Sequence, residues 1–219
     1  MPVKKIAFVH TVASLAEMFK RDAALKLPHL QQFHVLNESL LQDLLQGCDK
    51  AIVYRRVVAQ ILLAVDAGAD MVVATCSSTS PAVDIARALT HVPIIKIDDP
   101  MATEAVAKGN KIGLICTARS TVEPSSGLLH ARAVAQGRQI SIANCLVEEA
   151  YKALFAGDKA EHDRLVTLAA TQLSNDVEVL VLAQASLAHL KPVLEKQTRC
   201  VVLSSPDLLI AKISALTEE

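Results

Sequence analysis

The stretch Met71 to Ser80, M-V-V-A-T-C-S-S-T-S, sets one thiol where an apolar run gives way to small hydroxyl residues, and Pro81 follows at once. A buried parallel strand that turns into a helix start has this pattern. Such a turn gathers backbone N–H groups, the positive end of a helix dipole and hydroxyl donors around one point. A helix N-terminus favours the thiolate of a cysteine held there, and a thiolate can attack or move a proton. Cys76 is therefore the first candidate catalytic residue; simple packing is the alternative, because free cysteine is among the most buried residue types.

Other side chains could serve the same chemistry. Ser77, Ser78 and Thr79 follow the thiol, Thr117 and Thr121 follow a later apolar run, and Ser186 follows another. Hydroxyl and backbone donors aimed at a carboxylate can stabilise the enediolate formed by loss of an α-proton or of CO₂. Helix capping is the alternative use of the same residues. His10 and Thr11 end the first apolar run; His10 is a candidate acid/base, or else a polar residue satisfied at a strand end. Arg119 could pair with a carboxylate or lie solvated. Glu148 and Glu149 suit the first turn of a helix. Cys116 is flanked by an apolar strand and reads as packing, and Cys48, Cys145 and Cys200 read as core or loop thiols.

The elements that must position these groups alternate along the chain. Lys4–Val9 reads as a buried strand, with Ser14 a cap for the next helix, and Phe33–Leu36 as a short strand. Lys50–Ala67 has the apolar spacing of an amphipathic helix and stops at Gly68-Ala69-Asp70. Pro81–Leu89 reads as helix, Pro93–Ile97 as strand, and Asp98-Asp99-Pro100 as a helix start. Strand and helix in this alternation predict an α/β fold with parallel sheets.

The second half repeats the first. Lys4–Thr11 aligns with Asn110–Thr117, 106 residues on, and Phe33–Leu36 with Gln139–Ile142 at the same offset. Ile97–Pro100 matches Leu203–Pro206, again at 106, and Cys76-Ser77-Ser78 falls on Gln184-Ala185-Ser186 at 108. The repeat predicts two pseudo-twofold-related lobes, each a four-stranded parallel sheet flanked by helices, with a cleft between them. The expected lobes are 1–98 and 99–206, with a C-terminal helix 207–219 packing back on the first. Ligands of open α/β sheets bind beyond the carboxyl ends of the strands, which is where the candidate residues fall.

The chain has 219 residues, more than half of them apolar, and a net charge of −1 with the charges scattered. That balance argues against a nucleic-acid or polybasic membrane surface. Aromatics are scarce and tryptophan is absent, so platforms for stacking bases are not expected. No G-x-G-x-x-G or G-x-x-x-x-G-K-[ST] loop follows a strand, which argues against a nucleotide. No segment reaches the apolar length of a membrane span, and Met-Pro-Val-Lys-Lys lacks a signal peptide's apolar region. Five dispersed cysteines without a C-x-x-C pair fit reduced thiols and a cytoplasmic location, and the dispersed histidines predict no metal site.

With two repeated halves, a first-half strand ending A-T-C-S-S-T and a second-half strand ending L-A-Q-A-S, the chain resembles the aspartate/glutamate racemase superfamily. The segment K-I-G-L-I-C-T-A-R-S-T-V-E-P-S-S-G-L-L at Lys111–Leu129 extends the resemblance through its T-x-x-x-T pattern. That superfamily includes amino-acid and hydantoin racemases, arylmalonate decarboxylase and maleate isomerase. The resemblance implies work without pyridoxal phosphate or metal, a small carboxylate substrate and a homodimer or higher homo-oligomer. It also implies that one cysteine per lobe flanks the substrate α-carbon. Cys76 matches the first of these; the second position holds Gln184. Glutamine neither takes nor gives a proton at accessible pH, so symmetric two-thiol racemisation is not expected. One-sided chemistry remains: isomerisation, racemisation with a different second group such as His10, or protonation after decarboxylation or bond cleavage. A binding or regulatory protein with lost catalysis is the second class. Thr11, Ser77, Ser78, Thr79, Thr117, Thr121, Gln184 and Ser186 are the expected substrate-binding set.

Overall fold

The computed structural model describes residues 3–217. Met1 and Pro2 of the N-terminal reading, and the last two residues of the expected C-terminal helix, lie outside the described residues. The chain divides into two compact units, Met1–Ile97 with Asp207–Glu219, and Asp98–Pro206.

The first unit runs β1 (Lys5–His10), α1 (Ala13–Lys26), β2 (Gln31–Leu36), α2 (Ser39–Leu45), α3 (Lys50–Asp66), β3 (Met71–Ala74), α4 (Ser80–Arg87) and β4 (Ile94–Lys96). Its sheet is parallel throughout, in the order β2-β1-β3-β4. The second unit runs α5 (Asp99–Lys108), β5 (Lys111–Cys116), α6 (Arg119–Ala135), β6 (Ser141–Leu146), α7 (Glu148–Phe155), α8 (Lys159–Leu173), β7 (Val179–Leu182), α9 (Lys191–Gln197) and β8 (Val201–Ser204). Its strands follow the same parallel order, β6-β5-β7-β8. The last helix, α10 (Ser205–Thr217), joins the first unit through Lys26–Asp207 at 2.9 Å and His29–Thr217 at 3.1 Å.

Central strands buried on both faces read as continuous apolar runs, and β3 is buried at every residue. In α3, Val53, Val57, Ile61 and Ala64 recur at helical spacing and pack on Ala7, Val9, Val72 and Ala74. Gly68 follows this helix at φ +84, a conformation that side-chain-bearing residues rarely adopt. The second unit builds its core the same way, with Val166 and Ala170 of α8 packed with Ile115, Leu180 and Leu182.

Strand pairing corrects the expected alignment of the halves in two places. β1 and β5 lie 106 residues apart and β3 and β7 lie 108 apart, but β2 and β6 lie 110 apart, from Gln31 to Ser141. The connection through α6 is four residues longer than that through α1, so 139–142 is not the counterpart of 33–36. At the last strand, Ile94 and Val202 hold equivalent partners at an offset of 108, whereas α5 and α10 start 106 apart. Ile97 and Asp98 therefore have no counterpart in the second half. Ser14 is not the cap of α1: that position is Val12, which makes no side-chain cap bond.

Each unit ties its two central strands together at their amino ends with one carboxylate. Asp70 Oδ2 accepts from Lys4 N and Lys5 N, both at 2.9 Å. Glu178 Oε2 accepts from Asn110 N at 2.6 Å and Lys111 N at 3.2 Å. These backbone N–H groups hold both carboxyls below their ordinary range. A Cβ on Gly109 would lie 2.8 Å from Glu178 Oε2 and 2.9 Å from both Glu178 Cβ and Val179 Cγ2. Gly109→Ala is therefore expected to lower unfolding free energy by about 1–3 kcal/mol. Gly127→Ala, inside α6 with nothing within 4 Å of the new carbon, is expected to raise it by about 0.5–1 kcal/mol. Urea denaturation of both variants checks the contrast.

Candidate functional site

Cys76 lies two residues past the end of β3, in extended backbone at φ −118, ψ 115. The expected direct turn from strand to helix is interrupted: Ser77–Thr79 form a short 3₁₀ helix, and α4 begins at Ser80 with Pro81 in its first turn. Cys76 and the hydroxyl residues Ser77, Ser78, Thr79 and Ser80 are all buried. Burying hydroxyls without hydrogen bonds is costly. Part of this demand is met locally, as Thr79 Oγ1 donates to the Cys76 carbonyl at 3.2 Å.

His10 ends β1, on the strand beside β3, and is fully buried. Its Nδ1 meets Thr75 Oγ1 at 2.8 Å, and its Nε2 meets His34 Nδ1 at 2.9 Å. Thr75 Oγ1 donates to the Val9 carbonyl at 3.1 Å, so its lone pair is what faces His10. His10 thus carries its proton on Nδ1, and its Nε2 accepts from His34 Nδ1–H. The rings of Phe8, Phe19, His10 and His34 pack against one another, with the two imidazole centroids 5.2 Å apart. Burial, then the neighbouring His34, pushes the His10 pKa down to about 3. Burial also lowers that of His34, aided by Lys20 and opposed by Glu17.

His10, expected as an acid/base opposite Cys76, is held within its own unit in this arrangement. Both of its nitrogens are occupied inside the unit, and burial keeps it neutral. Side chains alternate faces along a strand, which puts His10 and Thr75 on one face and sends Thr11 and Cys76 to the other.

Thr11 and Thr117 occupy equivalent positions after β1 and β5, as do Cys76 and Gln184 after β3 and β7. In the second unit, Gln184 Oε1 accepts from Thr117 N at 2.6 Å, Thr117 Oγ1 at 3.0 Å and Ala118 N at 3.2 Å. The Thr117 hydroxyl proton is thereby committed to the chain itself and is not a free donor for a carboxylate. The Gln184 carbonyl oxygen is likewise spent. In the first unit Cys76 takes the position of that glutamine, and Thr11 Oγ1 is buried with no hydrogen-bond partner. Three donors converge on one oxygen in the second half.

Among the remaining candidates, Thr121 is buried in the first turn of α6, whereas Ser186 is exposed and its carbonyl accepts from His189 Nδ1 at 3.0 Å. Arg119 is largely exposed and pairs with Glu148 of α7 at 2.9 Å. Burial, then Asp98 and Cys145, pushes the Cys116 thiol up to about 12, which makes it an inert packing group. Cys200 Sγ donates to the Val177 carbonyl at 3.0 Å. Among the described residues no group of three or more His, Cys, Asp or Glu side chains is arranged to hold a metal ion, and no helix is long and apolar enough to cross a membrane. Sequence reasoning missed Thr75 and His34. A polar residue inside the short strand Gln31–Leu36 was the available signal for the latter.

The family model for Asp/Glu/hydantoin racemases matches residues 9–213. No curated protein matches the chain. Among solved structures, the aspartate racemase of Picrophilus torridus superposes with a TM-score of 0.72 at 13% identity, covering 98% of this chain and 94% of that one. A glutamate racemase of Bacillus anthracis gives 0.70 at 16% identity, with 98% and 82% covered. The allantoin racemase of Klebsiella pneumoniae gives 0.69 at 18% identity, with 98% and 88% covered. These likenesses are of fold.

Two expected outcomes follow from the geometry. Because the folded state holds His10 and His34 neutral, the unfolded chain binds more protons below the ordinary histidine pKa of 6.5. For His10, stability is then full above that pH and is lost as pH falls toward about 3, by up to about 1.4 kcal/mol per pH unit, and His34 adds in the same direction. Urea midpoints measured across that window should fall with pH, and the slope should flatten in His10→Gln. In the second unit, Gln184→Met keeps the bulk but removes the shared acceptor, and is expected to cost about 1–3 kcal/mol in denaturation.

Proposed function

This chain belongs to the Asp/Glu/hydantoin racemase family, and from that premise we propose that it is an enzyme acting on a small carboxylic acid, with the Cys76 thiol as the group that moves the proton. As thiolate, the sulfur takes a proton from the α-carbon, and the electron pair left there spreads into the carboxylate as an enediolate. As thiol, it gives a proton to a carbanion generated by α-proton removal or CO₂ loss. No cofactor takes part in either direction.

The observation that carries this reading is the difference between equivalent positions: a buried thiol and an unpartnered Thr11 hydroxyl in the first unit, against a glutamine amide already engaged by three donors in the second. Thr11 supplies a donor to the ligand carboxylate. Ser77, Ser78 and Thr121, which have partners of their own in the chain, complete the assigned substrate-binding set, with Ser186 outermost. Thr79 and Thr117 have spent their hydroxyl protons within the chain. With one proton-transferring group, the reaction is one-sided, of isomerase or decarboxylase type, unless a second acid is brought by the substrate. We take the protein to act as a homo-oligomer, with exposed apolar residues such as Ile52, Leu63, Ile85 and Leu89 available for the contact.

The engagement of Gln184 also favours a second reading, a carboxylate-binding protein without turnover. Aspartate, glutamate and allantoin, the substrates named by the similar structures, together with a 2-substituted malonate, form the first panel. The wild-type protein is expected to exchange solvent deuterium into one of these or to release CO₂, and Cys76→Ser to lose turnover by at least about a hundredfold, the usual scale for a proton-transfer group. Calorimetric ligand binding should persist in that variant. Turnover unaffected by Cys76→Ser would sink the thiol mechanism; binding without turnover in the wild type would favour the second reading.

A further inference from the structure

Behind the thiol, three side chains of the first unit form one unbranched series of hydrogen bonds: His34 Nδ1 to His10 Nε2, His10 Nδ1 to Thr75 Oγ1, and Thr75 Oγ1 to the Val9 carbonyl. The series ends at His34 Nε2, which is buried and has no partner. Its direction follows from that end. With Thr75 donating to Val9, both imidazoles are protonated on Nδ1 and only a lone pair is left unmatched at His34 Nε2. The reverse direction would leave an N–H there with nothing to bond, the rarer and costlier defect.

The series sits at the residue just before Cys76. Thr75 is fastened to Val9 twice, through its backbone N at 3.0 Å and its hydroxyl at 3.1 Å. The second unit keeps the backbone tie, from Ala183 N to the Ile115 carbonyl at 3.0 Å, but has none of the side-chain series. Cys116 stands at the His10 position, Asn144 at the His34 position and Ala183 at the Thr75 position. Asn144 turns instead to Ser126 of α6 at 2.9 Å. In a duplicated fold, the series is present only in the half that carries the thiol.

We propose that His34 is a positioning residue for Cys76: acting through His10, it locks the Thr75 hydroxyl onto the Val9 carbonyl and so fixes the backbone that carries the sulfur. The proposal rests on the reading of Cys76 as the reactive group. Without the His34 donor, His10 is free to move its proton to Nε2. The Thr75 hydroxyl can then swing round to donate to His10 Nδ1, releasing one of its two ties to β1. His34 is at the edge of the sheet, on β2, and touches no candidate ligand group itself.

The test uses ¹⁵N-histidine-labelled protein at neutral pH and the rate of iodoacetamide alkylation at Cys76, read by peptide mass. In the wild type, His10 and His34 are both expected as Nδ1–H tautomers. His34→Phe keeps a stacked ring but removes the donor. It should give His10 a mixed or Nε2–H tautomer and change the Cys76 rate about threefold to tenfold, the rate equivalent of one net hydrogen bond. His34→Gln, whose amide N–H can still donate to His10, should restore both readouts. An unchanged His10 tautomer or an unchanged alkylation rate in His34→Phe overturns the proposal. So does an Nε2–H tautomer of His10 in the wild type, a measurement that does not depend on any variant folding. Neither readout requires turnover, so a Cys76→Ser variant with full activity would remove the proposed reaction and leave the positioning result standing.

Discussion

The pairing of β1 with β3 at their carboxyl ends is the constraint on which the rest of the first unit depends. Val9 lies opposite Ala74, and its carbonyl takes the backbone and hydroxyl donors of Thr75. Once that register is set, alternation along the strand sorts the following residues without further choice. His10 and Thr75 go to the face covered by aromatic rings, where they meet each other. Thr11 and Cys76 go to the other. A slip of one residue would exchange these sets, turning the imidazole to the opposite face and the thiol into the ring stack.

Duplication makes the second unit an internal control for this reasoning. Its strand order and register repeat those of the first, so differences at equivalent positions trace to side chains and not to topology. Where the first unit has a short thiol, the second has an amide long enough to reach Thr117 and Ala118 and satisfy them. Where the first needs a hydrogen-bond series to hold its strand end, the second has small or apolar groups, and its buried Cys116 is kept neutral by desolvation. After β5 the Gln184 oxygen satisfies the donors of Thr117 and Ala118, whereas after β1 the equivalent Thr11 hydroxyl is buried and unmatched. Unmatched buried polar atoms are uncommon in folded proteins and tend to mark places where a ligand completes the bonding.

Much of this was legible in the chain itself. The central strands are apolar runs flanked by turn residues, and the 106- and 108-residue repeats at β1/β5 and β3/β7 follow from strand residues that hardly vary in spacing. The repeat failed at β2/β6 because helix length is not dictated by the sheet: α6 is free to be longer than α1 as long as its connection returns to the same edge. The Ser14 cap failed because Val12 holds the extended backbone at the start of α1 without any side-chain bond. Cys76 stood out by its neighbours in sequence. His10 did not reveal its role, because the partners that decide it, Thr75 and His34, lie 65 and 24 residues away. A histidine at a strand end looks the same in one dimension whether it faces a ligand or a second histidine.

The same distinction explains why Gln184 is more informative in three dimensions than as a missing cysteine. Read along the chain, it is an absence. In the fold, its oxygen draws together two backbone N–H groups and a hydroxyl within 3.2 Å, an arrangement suited to one oxygen of a carboxylate. The protein therefore satisfies with its own amide, in one half, a donor cluster whose equivalent hydroxyl in the other half, that of Thr11, is left unmatched. Proton transfer at carbon needs both a group that moves the proton and donors that hold the resulting charge. With one donor cluster filled internally and the equivalent Thr11 hydroxyl unmatched, the proposed one-sided chemistry at Cys76 rests on the asymmetry of these hydrogen bonds.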